Sequence, residues 1–164
     1  MTMTAPSVHK DPESMTMTIS MELDATVERA WQLWADPRQL EQWWAPPSHP
    51  MTMVEFDLTP GGRLTHYFTG EDGQKHHGVW AVIAADPPTR LELADADTDA
   101  DGVPNDGNAM TNMVVTLTER KGNRTLMAVE LHFVSVEGME QVAAAGMEDG
   151  IIDAMGRVEA ILAQ

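Results

Sequence analysis

The sequence predicts an α+β fold in which one curved antiparallel sheet wraps a long C-terminal helix. Three observations predict it. Met15, Met17, Ile19, Met21 and Leu23 alternate with Thr16, Thr18, Ser20 and Glu22, the pattern of a half-buried strand. Residues 51–134 break into about six further strand-like runs joined by short turns, as antiparallel neighbours are. Residues 142–162 carry Ala143, Met147, Ile151, Met155, Val158 and Leu162 at helical spacing, with Glu148, Asp149, Asp153, Arg157 and Glu159 elsewhere. That is an amphipathic helix of about 20 residues and roughly 30 Å. A sheet with one apolar face must bury it, and this helix is the natural cover.

Residues 1–13 show no periodicity and read as a flexible tail ahead of a single domain at 14–164. Two short helices follow the first strand. Val27, Ala30, Trp31 and Trp34 share one helical face, Thr26 suits the N-cap, and Glu28 suits the helix dipole. Asp36-Pro37 reads as the N-cap and first residue of the second helix, with Gln39 completing a capping box. Four of the five tryptophans (Trp31, Trp34, Trp43, Trp44) fall in this stretch. The strands then run over 51–58, 63–69, 76–85, a fifth stretch with Leu91 and Leu93, 113–117 and 126–134. Pro60-Gly61-Gly62, Glu71-Asp72-Gly73, Asp86-Pro87-Pro88 and Lys121-Gly122-Asn123 turn the chain between them. This order gives a helix-grip shape, whose middle is hard to fill with side chains alone, so an internal cavity is expected. Gly146, Gly150 and Gly156 cost about 1 kcal/mol each inside a helix. They suggest close backbone approach, room beside that cavity, or, at Gly146, the helix start or a kink.

Composition narrows the function. Ten Lys+Arg against 26 Asp+Glu give a net charge of −16, which argues against nucleic acid and anionic membrane surfaces as partners. No apolar run approaches the roughly 20 residues of a membrane span. The N-terminus lacks the basic-then-apolar order of a signal peptide, so a cytoplasmic location is expected. Without cysteine there are no disulfides, thiolate nucleophiles or Cys-based metal sites. Thirteen methionines make a soft, adaptable core.

The Val-x-x-Ala-Trp stretch ending at Trp31, then Trp34-Ala35-Asp36-Pro37, Trp43-Trp44-Ala45-Pro46, Pro60-Gly61-Gly62, Asp72-Gly73, Asp86-Pro87-Pro88-x-x-Leu91 and Gly146-Met147-Glu148-Asp149-Gly150 occur in order. This set resembles the activator-of-Hsp90-ATPase-like branch of the START/Bet v 1-like (SRPBCC) superfamily, over about residues 15–163. The resemblance implies a helix-grip fold around a pocket for hydrophobic or amphipathic small molecules. It does not imply one reaction, since relatives include ligand carriers, cyclases or dehydratases and co-chaperones.

The chemistry-bearing residues are few. Asp97, Asp99, Asp101 and Gly102 match the first half of a calcium loop, but the closing bidentate carboxylate is replaced by Asn108. A solvated acidic loop is the favoured account of them. His66 shares a strand face with Leu64 and Phe68, which points it inward as a polar handle or an acid/base. His76 and His77, as neighbours in a strand, face opposite ways and cannot readily share an ion. His132 lies with Glu130 on a polar face, and no serine stands in a nucleophile motif. The expected pocket takes Trp43 and Trp44 near the mouth, His66, Phe68, Trp80 and Met113 on the sheet, and Met147, Ile151 and Met155 on the helix. No cofactor is expected. The function expected is binding of a hydrophobic small molecule, more than catalysis. The alternatives are a cyclase or dehydratase using His66 and a co-chaperone-like interaction module, and a homodimer is compatible with the sequence.

Overall fold

A computed structural model describes residues 6–45, 48–97, 110–133, 135–144 and 147–162. The strands are β1 (Ser7–Asp11), β2 (Thr16–Leu23), β3 (Met51–Phe56), β4 (Arg63–Thr69), β5 (Lys75–Asp86), β6 (Arg90–Asp97), β7 (Met110–Arg120) and β8 (Arg124–Phe133). The helices are α1 (Val27–Ala35), α2 (Pro37–Trp44), α3 (Val136–Ala144) and α4 (Met147–Leu162). All eight strands join one antiparallel sheet in the order β1-β2-β8-β7-β6-β5-β4-β3. The helices lie over its apolar face, giving the helix-grip architecture that the sequence predicts.

One expectation about the ends of the chain needs correction. Ser7–Asp11 is not a loose tail but an edge strand, paired with β2 from Ser7 opposite Ser20 to Asp11 opposite Thr16. Its turn is closed by the Asp11 carboxylate, which accepts the backbone N–H groups of Glu13 and Ser14 at 3.2 and 3.4 Å. Only Val8 of β1 packs against the core, so the strand carries almost no alternating apolar signal. The helix expected over 142–162 is described as α4 from Met147 to Leu162, with α3 over Val136–Ala144 ahead of it.

Local chemistry sets the two short helices. Thr26 Oγ1 accepts the Arg29 N–H at 3.2 Å and caps α1. Asp36 ends α1 and starts α2: its N–H closes on the Gln32 carbonyl at 3.0 Å, and its Oδ1 accepts the Arg38 N–H at 2.9 Å. The capping box is therefore altered. Gln39 cannot take the Asp36 N–H, which α1 already uses, and donates to Asp36 Oδ2 at 3.0 Å instead. Arg29 ties this corner to the end of α4, donating to Gln39 Oε1 at 2.8 Å and to the Ile161 carbonyl at 3.2 Å.

Two bulges protect the inward pattern of the sheet. One lies between Met53 and Glu55 in β3, the other between Val82 and Ala84 in β5. Each adds a residue, so the side chains beyond it stay in phase. The extra residues, Val54 and Ile83, are the exposed large hydrophobics among the described residues. Phe56 and Leu64 thus remain opposite one another on the core side.

In α4, Ile151, Ala154, Met155, Val158 and Ile161 are buried. Gly150 and Gly156 are exposed, and a Cβ on either would meet nothing within 4 Å. They serve neither close approach nor room in the core. Gly156→Ala should raise stability by about 1 kcal/mol, and Gly150→Ala, in the first turn, by rather less. Urea unfolding of the two variants checks this; a loss of stability would mean these positions carry a contact.

Candidate ligand site

The site is built on the inner faces of β4 and β5 and roofed by α2. Alternation in β4 turns Leu64, His66 and Phe68 inward, and β5 places Gly78 directly across from His66 and Trp80 across from Leu64. The close backbone approaches of the helices are to β2, β3, β7 and β8. Over β5 the cover is made by a ring, Trp44 reaching Trp80 at 5.2 Å with the planes nearly perpendicular.

From there the rings are continuous. Trp34, Trp43 and Trp44 form a triangle with centroids 4.9, 5.7 and 5.5 Å apart, mostly edge to face. Trp44 leads to Trp80, Trp80 to His66 at 4.8 Å, and His66 to Phe68 at 5.5 Å. Such offset geometries are the favoured ones for aromatic quadrupoles. The middle of the run is buried, while Trp44 and Phe68 are only part-buried.

The polar atoms inside are placed with care. The Trp34 N–H donates to Met127 Sδ at 3.4 Å and the Trp43 N–H to the Leu33 carbonyl at 2.9 Å. His66 is 4 % exposed, and its Nδ1 lies 3.2 Å from the Leu64 carbonyl. A carbonyl only accepts, so Nδ1 carries the proton in that contact, and in the neutral ring Nε2 is the acceptor. Outside the ring run, α2 is fastened at two points. Arg157 Nε donates to the Trp43 carbonyl at 3.1 Å, a cation at a helix C-terminus. Glu41 Oε2 accepts the Met53 N–H at 2.6 Å, beside the β3 bulge.

Of the residues expected at the site, the structure brings Trp43, Trp44, His66, Phe68 and Trp80 into one chain of ring contacts. Trp43 is corrected from mouth to wall: it is wholly buried and hydrogen-bonded, and only its neighbour Trp44 reaches the surface. Met113, Ile151 and Met155 are buried in the same core cluster. Met147 opens α4, but its side chain lies outside the described residues. Asp97 ends β6 opposite Gly78, while Asp99 and Asp101 lie outside the described residues. Among the described residues no group of three or more His, Asp or Glu is gathered to hold a metal ion. His76 and His77 take opposite faces, His77 against Tyr67, and His132 pairs with Glu130 at 2.7 Å on the outer face. An open cleft of about 100 Å³ between Thr26, Glu28 and Arg124 contains none of the expected site residues.

Sequence reasoning missed Gly78, Trp34, Glu41 and Arg157. Gly78 had a usable signal, being a glycine inside a strand, which marks a bulge or a close approach.

Residues 24–163 match the family described as activator of Hsp90 ATPase homolog 1-like protein. The chain belongs to this family. Protein Ms6760 of Mycobacterium smegmatis is 38% identical with a TM-score of 0.86, covering 99% of this chain and 98% of its own. A protein of Arthrobacter aurescens is 41% identical with a TM-score of 0.88, covering 98% of this chain and 92% of its own. Both likenesses thus extend ahead of the family match, through β1 and β2. A Rhodobacter sphaeroides protein at 23% identity and TM-score 0.83 shares the fold. No curated protein matches the chain. As a member of the activator-of-Hsp90-ATPase homolog 1-like family, it has the START/SRPBCC helix-grip fold, and no helix among its described residues is long and apolar enough to cross a membrane.

Proposed function

We propose that this protein binds a hydrophobic or amphipathic small molecule between the sheet and α4, along the ring run from Trp44 to Phe68. One observation carries the reading: part-buried rings at both ends lead inward to a buried histidine, an apolar surface with a polar handle. Burying about 300 Å² of apolar ligand surface would yield roughly 7 kcal/mol before the costs of association. Trp80 and the core methionines supply that surface, and His66 orients the ligand's polar group.

Native mass spectrometry of protein purified gently from its host tests the reading. A reproducible extra mass of a few hundred daltons, lost on denaturation, is the expected result. A bare chain that also binds no added amphiphile would overturn it. Turnover of a substrate that is lost on changing His66 would instead make the protein a catalyst, and a protein partner released by salt would make it an interaction module.

His66→Phe keeps a ring and removes both nitrogens. We expect affinity for an amphiphile with a polar head to fall about tenfold, the value of one hydrogen bond of about 1.4 kcal/mol. Affinity for a pure hydrocarbon should hold. Equal losses for both probes, measured by calorimetry, would reduce His66 to a packing residue.

A further inference from the structure

His66 sits in the middle of three paired strands, and its two cross-strand neighbours differ sharply. On β3 the partner is Met53, buried and filling its side of the floor; on β5 the partner is Gly78, with no side chain at all. The imidazole occupies the gap. A Cβ added to Gly78 would stand 2.8 Å from His66 Nε2 and 3.4 and 3.5 Å from Cε1 and Cδ2. The ring thus lies across the β5 backbone, with Trp80 beyond it and its Nδ1 held at the Leu64 carbonyl.

Among the described residues, nothing else about Gly78 calls for glycine. Unlike Gly61 and Gly73, whose φ angles are +85° and +81°, it needs no left-handed backbone, and the three nearest atoms to its missing Cβ are all in the His66 ring. Glycine weakens a strand interior, because its backbone loses more entropy and packs nothing. A glycine kept only under one ring has that ring as its reason.

We infer that Gly78 is the positioning residue for His66: its missing side chain lets the imidazole lie flat on the sheet, which sets the depth of the ligand site. The inference rests on the ligand-binding reading of this site for its purpose, though not for its geometry. Any side chain at 78 lifts the ring off the sheet, because the atoms it meets are the far end of a side chain that can rotate. The ring then rises into the space where a ligand would lie, and the Nδ1 contact with Leu64 breaks.

Four proteins test this: wild type, Gly78→Ala, His66→Ala and the double variant. Two readouts are taken, NMR of the His66 ring nitrogens and Trp80 indole N–H, and binding of 1-anilinonaphthalene-8-sulfonate. Gly78→Ala should stay folded, shift the His66 and Trp80 signals, and weaken the probe at least tenfold. In the His66→Ala background, the same alanine should leave probe affinity and melting temperature unchanged or slightly higher, since nothing remains to clash. Unmoved His66 signals in Gly78→Ala would overturn the inference. So would an equal loss of melting temperature in both backgrounds, because Gly78 would then act on the sheet and not through His66. If the signals shift as expected while even wild type ignores the probe and other amphiphiles, the positioning role stands and the ligand-binding reading falls.

Discussion

Trp43→Ala should cost about 4 kcal/mol, the upper range for a large ring removed from a tight core. Trp43 is wholly buried, touches the rings of Trp34 and Trp44, and satisfies its N–H on the Leu33 carbonyl. Truncation leaves a cavity where α2 meets α1 and strips that carbonyl of its donor. In a chain of this size, 4 kcal/mol lowers the melting temperature by roughly 12 °C. Calorimetry decides it. A fall of only two or three degrees would mean that α2 collapses inward to refill the space. Ligand affinity in the folded fraction should change little, because Trp43 is wall and the rings it touches are those of Trp34 and Trp44.

Trp80→Ala should behave in the opposite proportion. Trp80 is buried on β5 and stands between Trp44 and His66. Its removal should cost about 3 kcal/mol of stability and cut the proposed ligand's affinity at least tenfold, since it removes the central contact surface and two ring pairs worth about 1 kcal/mol each. Comparing the two variants isolates the site. If Trp43→Ala and Trp80→Ala weaken probe binding alike, the loss follows from general softening of the core and the ring run is not the binding surface.

What the sequence disclosed is what local chemistry controls. The Thr26 and Asp36 caps act over two or three residues, so their identities alone located the starts of both helices. The alternation in β2 and β4 fixed which way His66 faces, and the same count put His132 beside Glu130 on the outer face. Less visible were features set by neighbours far along the chain. Edge strand β1 has one face turned to solvent and only Val8 against the core, so no periodicity betrayed it. Trp44 and Trp80 came together through tertiary packing alone. Gly78 lies between these extremes. The turn at Glu71-Asp72-Gly73 fixes the β4–β5 hairpin, and counting back from it on both sides sets residue 66 opposite residue 78.

The tryptophan arrangement has an optical consequence. Four indoles, Trp34, Trp43, Trp44 and Trp80, form an unbroken series with centroids 4.9–5.7 Å apart, close enough for their excited states to mix and exchange energy before emitting. The protein therefore carries a built-in antenna. Excitation is shared among all four rings, two of which, Trp44 and Trp80, border the proposed ligand, so an unlabelled occupant should announce itself in both the emission and the near-ultraviolet circular dichroism.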